Sequence, residues 1–336
     1  MSHEGVRHFF VCLFGREMEK AYFCSMNELY RKMKQLLVEG GMEAGEAQAV
    51  ALLMLEKKWG LTVTEVLSGG GRRGRGEGKG AAMTSQQTEQ EEEEEMLALV
   101  RRVAGGEPVQ YVLGEAEFCG MELKVRPGVL IPRPETEELV AWAVEEGKRF
   151  ADNLTEGKNW NRQRVLDIGT GSGCIALALA RQLAGADVEA WDVSEKALEV
   201  ARENGEKVGV QVRWKRMDVL DKLEAPSPFS LIVSNPPYIC EEEKGEMEAH
   251  VLEHEPELAL FVPNEDPLRF YRRIAELGME GLLVEGGAML FEVNRRFGQQ
   301  VVTMLEGMGY EEVELRKDFF GNDRMVKAIK RGYFSL

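Results

Sequence analysis

Between about Met26 and Leu67, apolar residues recur at helical spacing. Leu29, Met33, Leu36 and Leu37 form one stripe, and Ala47, Val50, Ala51, Met54 and Leu55 form another. This pattern predicts a helical N-terminal module spanning 26–106, preceded by an atypical extension over 1–25. The stripe is interrupted by a low-complexity insertion at about 68–95, which opens with Gly69-Gly70-Gly71-Arg72-Arg73-Gly74-Arg75-Gly76 and turns rich in Gln and Glu. Such composition buries too little apolar surface to offset its ordering entropy, so roughly 68–85 reads as a flexible loop. The glutamates then grade into a helix ending near Val103, stopped by Gly105-Gly106-Glu107-Pro108.

Alternating polar and apolar positions return at Val109 to Leu113 and Met121 to Val125, which predicts a β-hairpin inside a linker over 107–134. Pro127, Pro132 and Pro134 stiffen the entry into a helix beginning near Glu135. Beyond Arg164, strands and helices alternate. Apolar runs at 165–168, 188–191, 210–214, 231–233 and 288–293 predict strands, and 313–316 with 325–329 predict a closing pair. Helices are expected at 174–183, 195–207, 268–283 and 298–308. The fold class is therefore α/β: a doubly wound, mainly parallel, seven-stranded Rossmann-like sheet over 135–336, with the small helical domain and hairpin linker before it.

Composition narrows the partners. The 336 residues are 44% hydrophobic and 30% charged, as in soluble globular proteins. No run approaches the roughly 18 apolar residues of a membrane span. Residues 1–24 lack a basic leader, a full apolar stretch and a small-residue cleavage site, so the cytoplasm is the expected compartment. The net charge of −16 disfavours a phosphate-neutralising surface, and no direct nucleic-acid partner is expected. Cys12, Cys24, Cys119, Cys174 and Cys240 are scattered without a CxxC pair, which suggests neither a disulfide framework nor a metal site.

The first chemical motif follows the first predicted strand of the sheet: Asp167, Ile168, then Gly169-Thr170-Gly171-Ser172-Gly173 at a helix start. Glycines there let the backbone turn sharply and approach a ligand, and Asp192 at the end of the next strand can accept bonds from both hydroxyls of a ribose. That much describes any adenosine-type cofactor, nicotinamide dinucleotides included. The Gly-x-Gly-x-Gly spacing shifts the balance, as does Asp167, whose carboxylate could anchor a cationic amino-acid portion. Asp218, followed by Val219, sits where an acceptor for an adenine amine belongs.

The second motif is Asn235-Pro236-Pro237-Tyr238 at the end of a buried strand. The Asn235 side-chain oxygen and the Pro236 carbonyl can each accept one N–H of a planar nitrogen substrate, presenting its lone pair to a methyl sulfonium. Tyr238 offers a face for the flat group, and two prolines preorganise the turn. No general base stands beside the motif in sequence.

Together with Gly114-Glu115-Ala116-Glu117-Phe118, the Leu130-Ile131-Pro132-Arg133-Pro134-Glu135-Thr136-Glu137 segment, Glu255-Pro256-Glu257-Leu258-Ala259-Leu260 and Asp318 to Arg324, these motifs resemble the HemK/PrmC family of protein-(glutamine-N5) methyltransferases. The resemblance implies S-adenosylmethionine as cofactor, contacted by Gly169 to Gly173, Asp192 and Asn235, with Asn235 to Tyr238 holding the glutamine of a Gly-Gly-Gln loop. It implies a class-1 peptide chain release factor as protein substrate, docked by the helical domain; a monomer is the expected form. Val219 stands where members often carry an aromatic beside adenine; residues 1–25 and the Arg/Gly–Glu insertion also depart from the family pattern. An adenine-N6 DNA or RNA methyltransferase shares the Asn-Pro-Pro-Tyr chemistry, but it would need base flipping and a surface for a charged backbone. A catalytically silent RNA scaffold built on Arg72, Arg73 and Arg75 is opposed by the intact Asp167, Asp192, Asn235 and Tyr238.

Overall fold

The computed structural model describes residues 27–68, 85–152, 163–222 and 227–332. The N-terminal extension and the Arg/Gly tract therefore lie outside the described residues. Two compact units divide between Leu113 and Gly114.

The first unit is helical: α1 (27–39), α2 (Ala44–Trp59), α3 (Val63–Ser68), α4 (Ser85–Ala104) and α5 (Val109–Leu113). Its core contains Leu29, Met33, Leu37, Ala47, Ala51, Met54 and Leu55, most of both predicted stripes, joined by Met96, Val100 and Val103 of α4. Val109–Leu113, expected as a strand, is a helical turn. Pro108 supplies the carbonyl that the N–H groups of Tyr111 and Val112 bond, and five residues are too few for a helical period to separate from alternation.

The second unit opens with the hairpin: β2 (Met121–Lys124) forms where expected, and its partner is β1 (Glu115–Phe118) in place of 109–113. The expected linker is thus split between the units. Asn204 fastens the hairpin to the sheet domain: its Oδ1 accepts from Lys124 N, and its Nδ2 donates to the carbonyls of Lys124 and Ser172.

The main elements that follow are α6 (Pro134–Asp152), β3 (Arg164–Ile168), α7 (Cys174–Gln182), β4 (Asp187–Asp192), α8 (Glu195–Val208), β5 (Arg213–Arg216) and β6 (Phe229–Ser234). A short parallel pair comes next, β7 (Ile239–Cys240) with β8 (Phe261–Val262), and between them lie α9 (Ala249–His254) and α10 (Glu257–Leu260). The chain continues as α11 (Arg269–Leu277), β9 (Leu283–Glu292), α12 (Gly298–Gly307), β10 (Tyr310–Lys317) and β11 (Asp323–Lys330).

Seven strands form one sheet in the order β10-β11-β9-β6-β3-β4-β5. β9 through β5 run parallel, and β11 pairs antiparallel with both β9 and β10. The chain builds outward from β3 in both directions, so the topological switch point lies between β3 and β6. The period-2 rule sorts the core: Val165, Leu231, Val233 and Leu290 pack toward α6 and α7, while Leu166, Ile168, Ile232 and Phe291 pack toward α11 and α12.

Two boundaries differ from expectation. The helix predicted through Leu283 gives way at Gly278 to a π-helical turn, and β9 begins at Leu283; Gly281 within the turn has φ 118°. The strand predicted at 210–214 forms at Arg213–Arg216, because the exposed edge strand carries polar side chains that hydrophobicity does not report. Among the described residues Cys119, Cys174 and Cys240 are free thiols, and no helix is long and apolar enough to cross a membrane.

Among the described residues of this unit, one ion pair has both partners buried. Lys327 and Glu146 are 6% and 7% exposed, and Lys327 Nζ donates to Glu146 Oε1 at 3.0 Å. Removing Lys327 leaves the buried Glu146 with only the half-exposed Arg149 as a charged partner, at 2.9 Å. Lys327→Met is predicted to lower unfolding free energy by about 3 kcal/mol in urea titrations, and the double variant Lys327→Met/Glu146→Leu to recover most of it.

Candidate active site

The carboxyl ends of β3, β4, β5 and β6 open on one cavity. At the end of β3 the chain turns through Gly169–Gly173 into α7, and the amides of Gly169 and Thr170 donate to the Trp191 carbonyl on β4. Gly171 has φ 55°, and a Cβ there would meet nothing within 4 Å, so the turn leaves open space above it. Gly173 serves packing instead. A Cβ there would lie 3.0 Å from the Trp214 ring and 3.1 Å from Ala201 Cβ.

Asp192 closes β4 with each carboxylate oxygen on a backbone amide: Oδ2 accepts from Gly171 N and Oδ1 from Ser194 N, both at 2.8 Å. Burial raises its pKa, and these amides act against that rise. Asp218 lies two residues past β5 and accepts from Leu220 N at 2.9 Å. The next residue, Val219, is buried and lines the cavity.

Asp167 sits beneath the turn and is fully buried. Its Oδ2 accepts from Thr170 Oγ1 at 2.6 Å and from Ala176 N at 3.1 Å; among the described residues its Oδ1 has no partner. Burial pushes its pKa up to about 7 despite those two bonds.

On the neighbouring strand Ser234 Oγ donates to the Ile168 carbonyl at 2.7 Å, pinning the start of the Asn-Pro-Pro-Tyr turn to the start of the glycine turn. Asn235 Nδ2 donates to Thr136 Oγ1 at 3.3 Å. Among the described residues no hydrogen bond uses Asn235 Oδ1 or the Pro236 carbonyl. Tyr238 points its hydroxyl at Glu292 Oε1, at 3.1 Å, and its carbonyl accepts from Asn294 Nδ2.

Of the residues singled out in the sequence, Gly169, Thr170, Gly171, Ser172, Asp192, Asp218, Val219, Asn235, Pro236 and Pro237 line the cavity together. Asp167, Gly173 and Tyr238 do not: they support its walls from behind. Sequence reasoning missed Thr136 and Glu292, which are 2% and 1% exposed and share a bond of 2.6 Å from Thr136 Oγ1 to Glu292 Oε2. The available signal was a carboxylate closing the apolar run Ala288-Met289-Leu290-Phe291. Glu255 was missed as well. It accepts from Ile131 N and from Arg133, and so ties the Pro-rich entry of α6 to the Pro256–Ala259 stretch, both of which line the cavity.

The arrangement can hold a diol at Asp192, a flat apolar group at Val219 and a planar N–H donor at Asn235 and Pro236. Comparison with known proteins places the chain in a family. The family model described as Methyltransferase small domain matches residues 147–257. The hMettl16 catalytic domain, solved in complex with the MAT2A 3′UTR hairpin 6, has a TM-score of 0.50 at 16% identity, covering 71% of this chain and 83% of that one, a likeness of fold alone. A release factor glutamine methyltransferase of Bacteroides thetaiotaomicron is 53% identical over 232 residues, covering 68% of this chain and 78% of the relative. One from Flavobacterium psychrophilum is 43% identical, covering 66% of this chain and 75% of the relative. At these identities and coverages, the chain belongs to the release factor glutamine methyltransferase family.

Proposed function

We propose that this protein transfers a methyl group from S-adenosylmethionine to the side-chain amide nitrogen of a glutamine in a peptide chain release factor, the Gly-Gly-Gln loop being the expected position. The observation that carries this reading is geometric. Asn235 and Pro236 line the same cavity as the Gly171–Asp192 cradle, and among the described residues no hydrogen bond uses Asn235 Oδ1 or the Pro236 carbonyl, two acceptors suited to a carboxamide.

The residues present fit the cofactor. Asp192 lines the cavity with its oxygens already oriented by two amides, so its remaining lone pairs are aimed for ribose hydroxyls. Val219 gives an apolar wall for adenine, with Asp218 beside it for the exocyclic amine. Asp167 stays beneath the turn rather than in the cavity wall, and its bonds from Thr170 Oγ1 and Ala176 N hold the glycine turn in the shape that receives the cofactor.

The bound cofactor supplies an electrophilic methyl on a sulfonium. The chain's own residues supply position and polarity. Asn235 Oδ1 and Pro236 O each accept one N–H of the glutamine carboxamide, which fixes its plane and aims the nitrogen lone pair. Those same acceptors favour the positive charge that develops on nitrogen as the N–C bond forms and the sulfonium S–C bond breaks; one N–H proton then passes to solvent, leaving the neutral methylamide and the thioether. Adenine offers a similar exocyclic amine, but the relatives named above methylate glutamine, and the chain's net charge of −16 does not suit a nucleic-acid substrate.

The direct test incubates the protein with labelled S-adenosylmethionine and a release factor, then repeats the reaction with the loop glutamine replaced. Label that depends on that glutamine is the expected result; label on DNA, or label indifferent to the replacement, would overturn the reading. Asn235→Ala is predicted to cut turnover by about a hundred-fold or more while leaving cofactor affinity mostly intact by calorimetry. Asp192→Ala is predicted to do the opposite first, weakening cofactor binding by about ten-fold or more.

A further inference from the structure

Three side chains form a line inward from the cavity wall: Asn235 after β6 and Thr136 in the first turn of α6, which line the cavity, and Glu292 at the end of β9 behind them. Thr136 Oγ1 lies 2.6 Å from Glu292 Oε2 and 3.3 Å from Asn235 Nδ2, and Tyr238 OH lies 3.1 Å from the other Glu292 oxygen. Glu292 is 1% exposed with both oxygens engaged by hydroxyls, so it is not open to accept a proton from a substrate.

We propose that Glu292, acting through the single hydroxyl proton of Thr136, fixes which end of the Asn235 amide faces the substrate. The inference rests on the function proposed above. A carboxylate only accepts, so Thr136 must spend its one proton on Glu292. Its oxygen then has only lone pairs to offer Asn235, which answers with its NH2 group. The amide oxygen is thereby turned toward the cavity, the polarity a glutamine N–H requires. Glu292 and Thr136 are positioning residues; neither needs to touch the substrate.

A proton on Glu292 Oε2 reverses the line. Glu292 then donates to Thr136, Thr136 donates to Asn235 Oδ1, and the amide rotates to present NH2 to the substrate's own NH2. The groups facing Glu292 set where this happens. Burial raises its pKa, Thr136, Arg324 and Tyr238 hold it down, and Glu135 pushes it up. Tyr271 donates to the Glu292 main-chain carbonyl at 3.2 Å, Arg324 is itself paired with Asp318, and Arg133 acts on Tyr238. Because the protonated form is the misoriented one, activity rises with pH as Glu292 loses its proton.

The test uses full-length protein with three readouts. Thr136→Val, which keeps the shape and removes the hydroxyl, is expected to lower kcat on a release factor by about ten- to a hundred-fold with cofactor affinity little changed, and to lower Tm by a few degrees because the buried Glu292 oxygen loses its donor. Thr136→Ser, which keeps the hydroxyl, is expected to restore most of the rate. In asparagine-labelled protein, the Asn235 side-chain NH2 signal, assigned by its loss in Asn235→Asp, is expected to shift with the same pH midpoint as the acid limb of kcat, and that midpoint to vanish in Glu292→Gln. Full activity in Thr136→Val, a Thr136→Ser variant as slow as Thr136→Val at unchanged Tm, or an Asn235 signal indifferent to Thr136→Val would overturn the proposal. If the unaltered protein methylates no release factor, the proposed function fails, while the Asn235 signal still decides whether the hydroxyl line orients the amide.

Discussion

Everything in the site depends on the parallel register of β3 and β6. Ile168 lies opposite Ser234, and the Ser234 hydroxyl bonds the Ile168 carbonyl at 2.7 Å. The two strands therefore end level, and the glycine turn leaves one as the Asn-Pro-Pro-Tyr turn leaves the other. A slip of one residue would carry Asn235 to the opposite face of the sheet and bury its amide among apolar side chains. That slip would also exchange Val165, Leu231 and Val233 with Leu166 and Ile232 between two separately packed cores, and the fit of each core to its own helices resists it. The hydrophobic pattern thus sets the distance between the two halves of the chemistry.

Rigidity around this junction comes from polar groups rather than from the core alone. Asp192 is held by two backbone amides, and Glu255 crosses from the Pro256 stretch to Ile131 and Arg133. Glu292 gathers Thr136 and Tyr238 from two different elements. Each is a buried or half-buried acceptor whose bonds would be costly to leave unmade, so each confines its partners to one arrangement. A methyl transfer that relies on position and polarity needs such stiffness more than it needs a reactive side chain. The sheet supplies the scaffold, and the buried carboxylates set the orientation of what it carries.

Much of this was legible in the sequence because the signals are local. The glycine turn and Asn235 to Tyr238 are contiguous, and each buried strand shows as an apolar run. The readings that moved had weak local signals. Val109–Leu113 alternates like a strand but folds as a helical turn behind Pro108, and β5 is an exposed edge whose polar side chains carry no hydrophobic mark. What could not be read were pairings across the chain. Thr136 and Glu292 are 156 positions apart, and Arg133 and Glu255 are 122 apart. A single sequence offers no physical link between such residues, since their contact is created by sheet order and register. Gly173 was assigned to the cofactor by its motif, yet its missing side chain makes room for Trp214 and Ala201.

The central claim is that one cavity presents a carboxamide nitrogen to the methyl donor through Asn235 and Pro236. A crystal structure of the protein with S-adenosylhomocysteine and a Gly-Gly-Gln peptide measures this directly. The expected result is the glutamine nitrogen bonded to Asn235 Oδ1 and the Pro236 carbonyl, aligned with the sulfur across a gap that a methyl group fills, with the Asn235 NH2 turned to Thr136. A glutamine side chain seated elsewhere, or held with its oxygen toward Asn235, would contradict it.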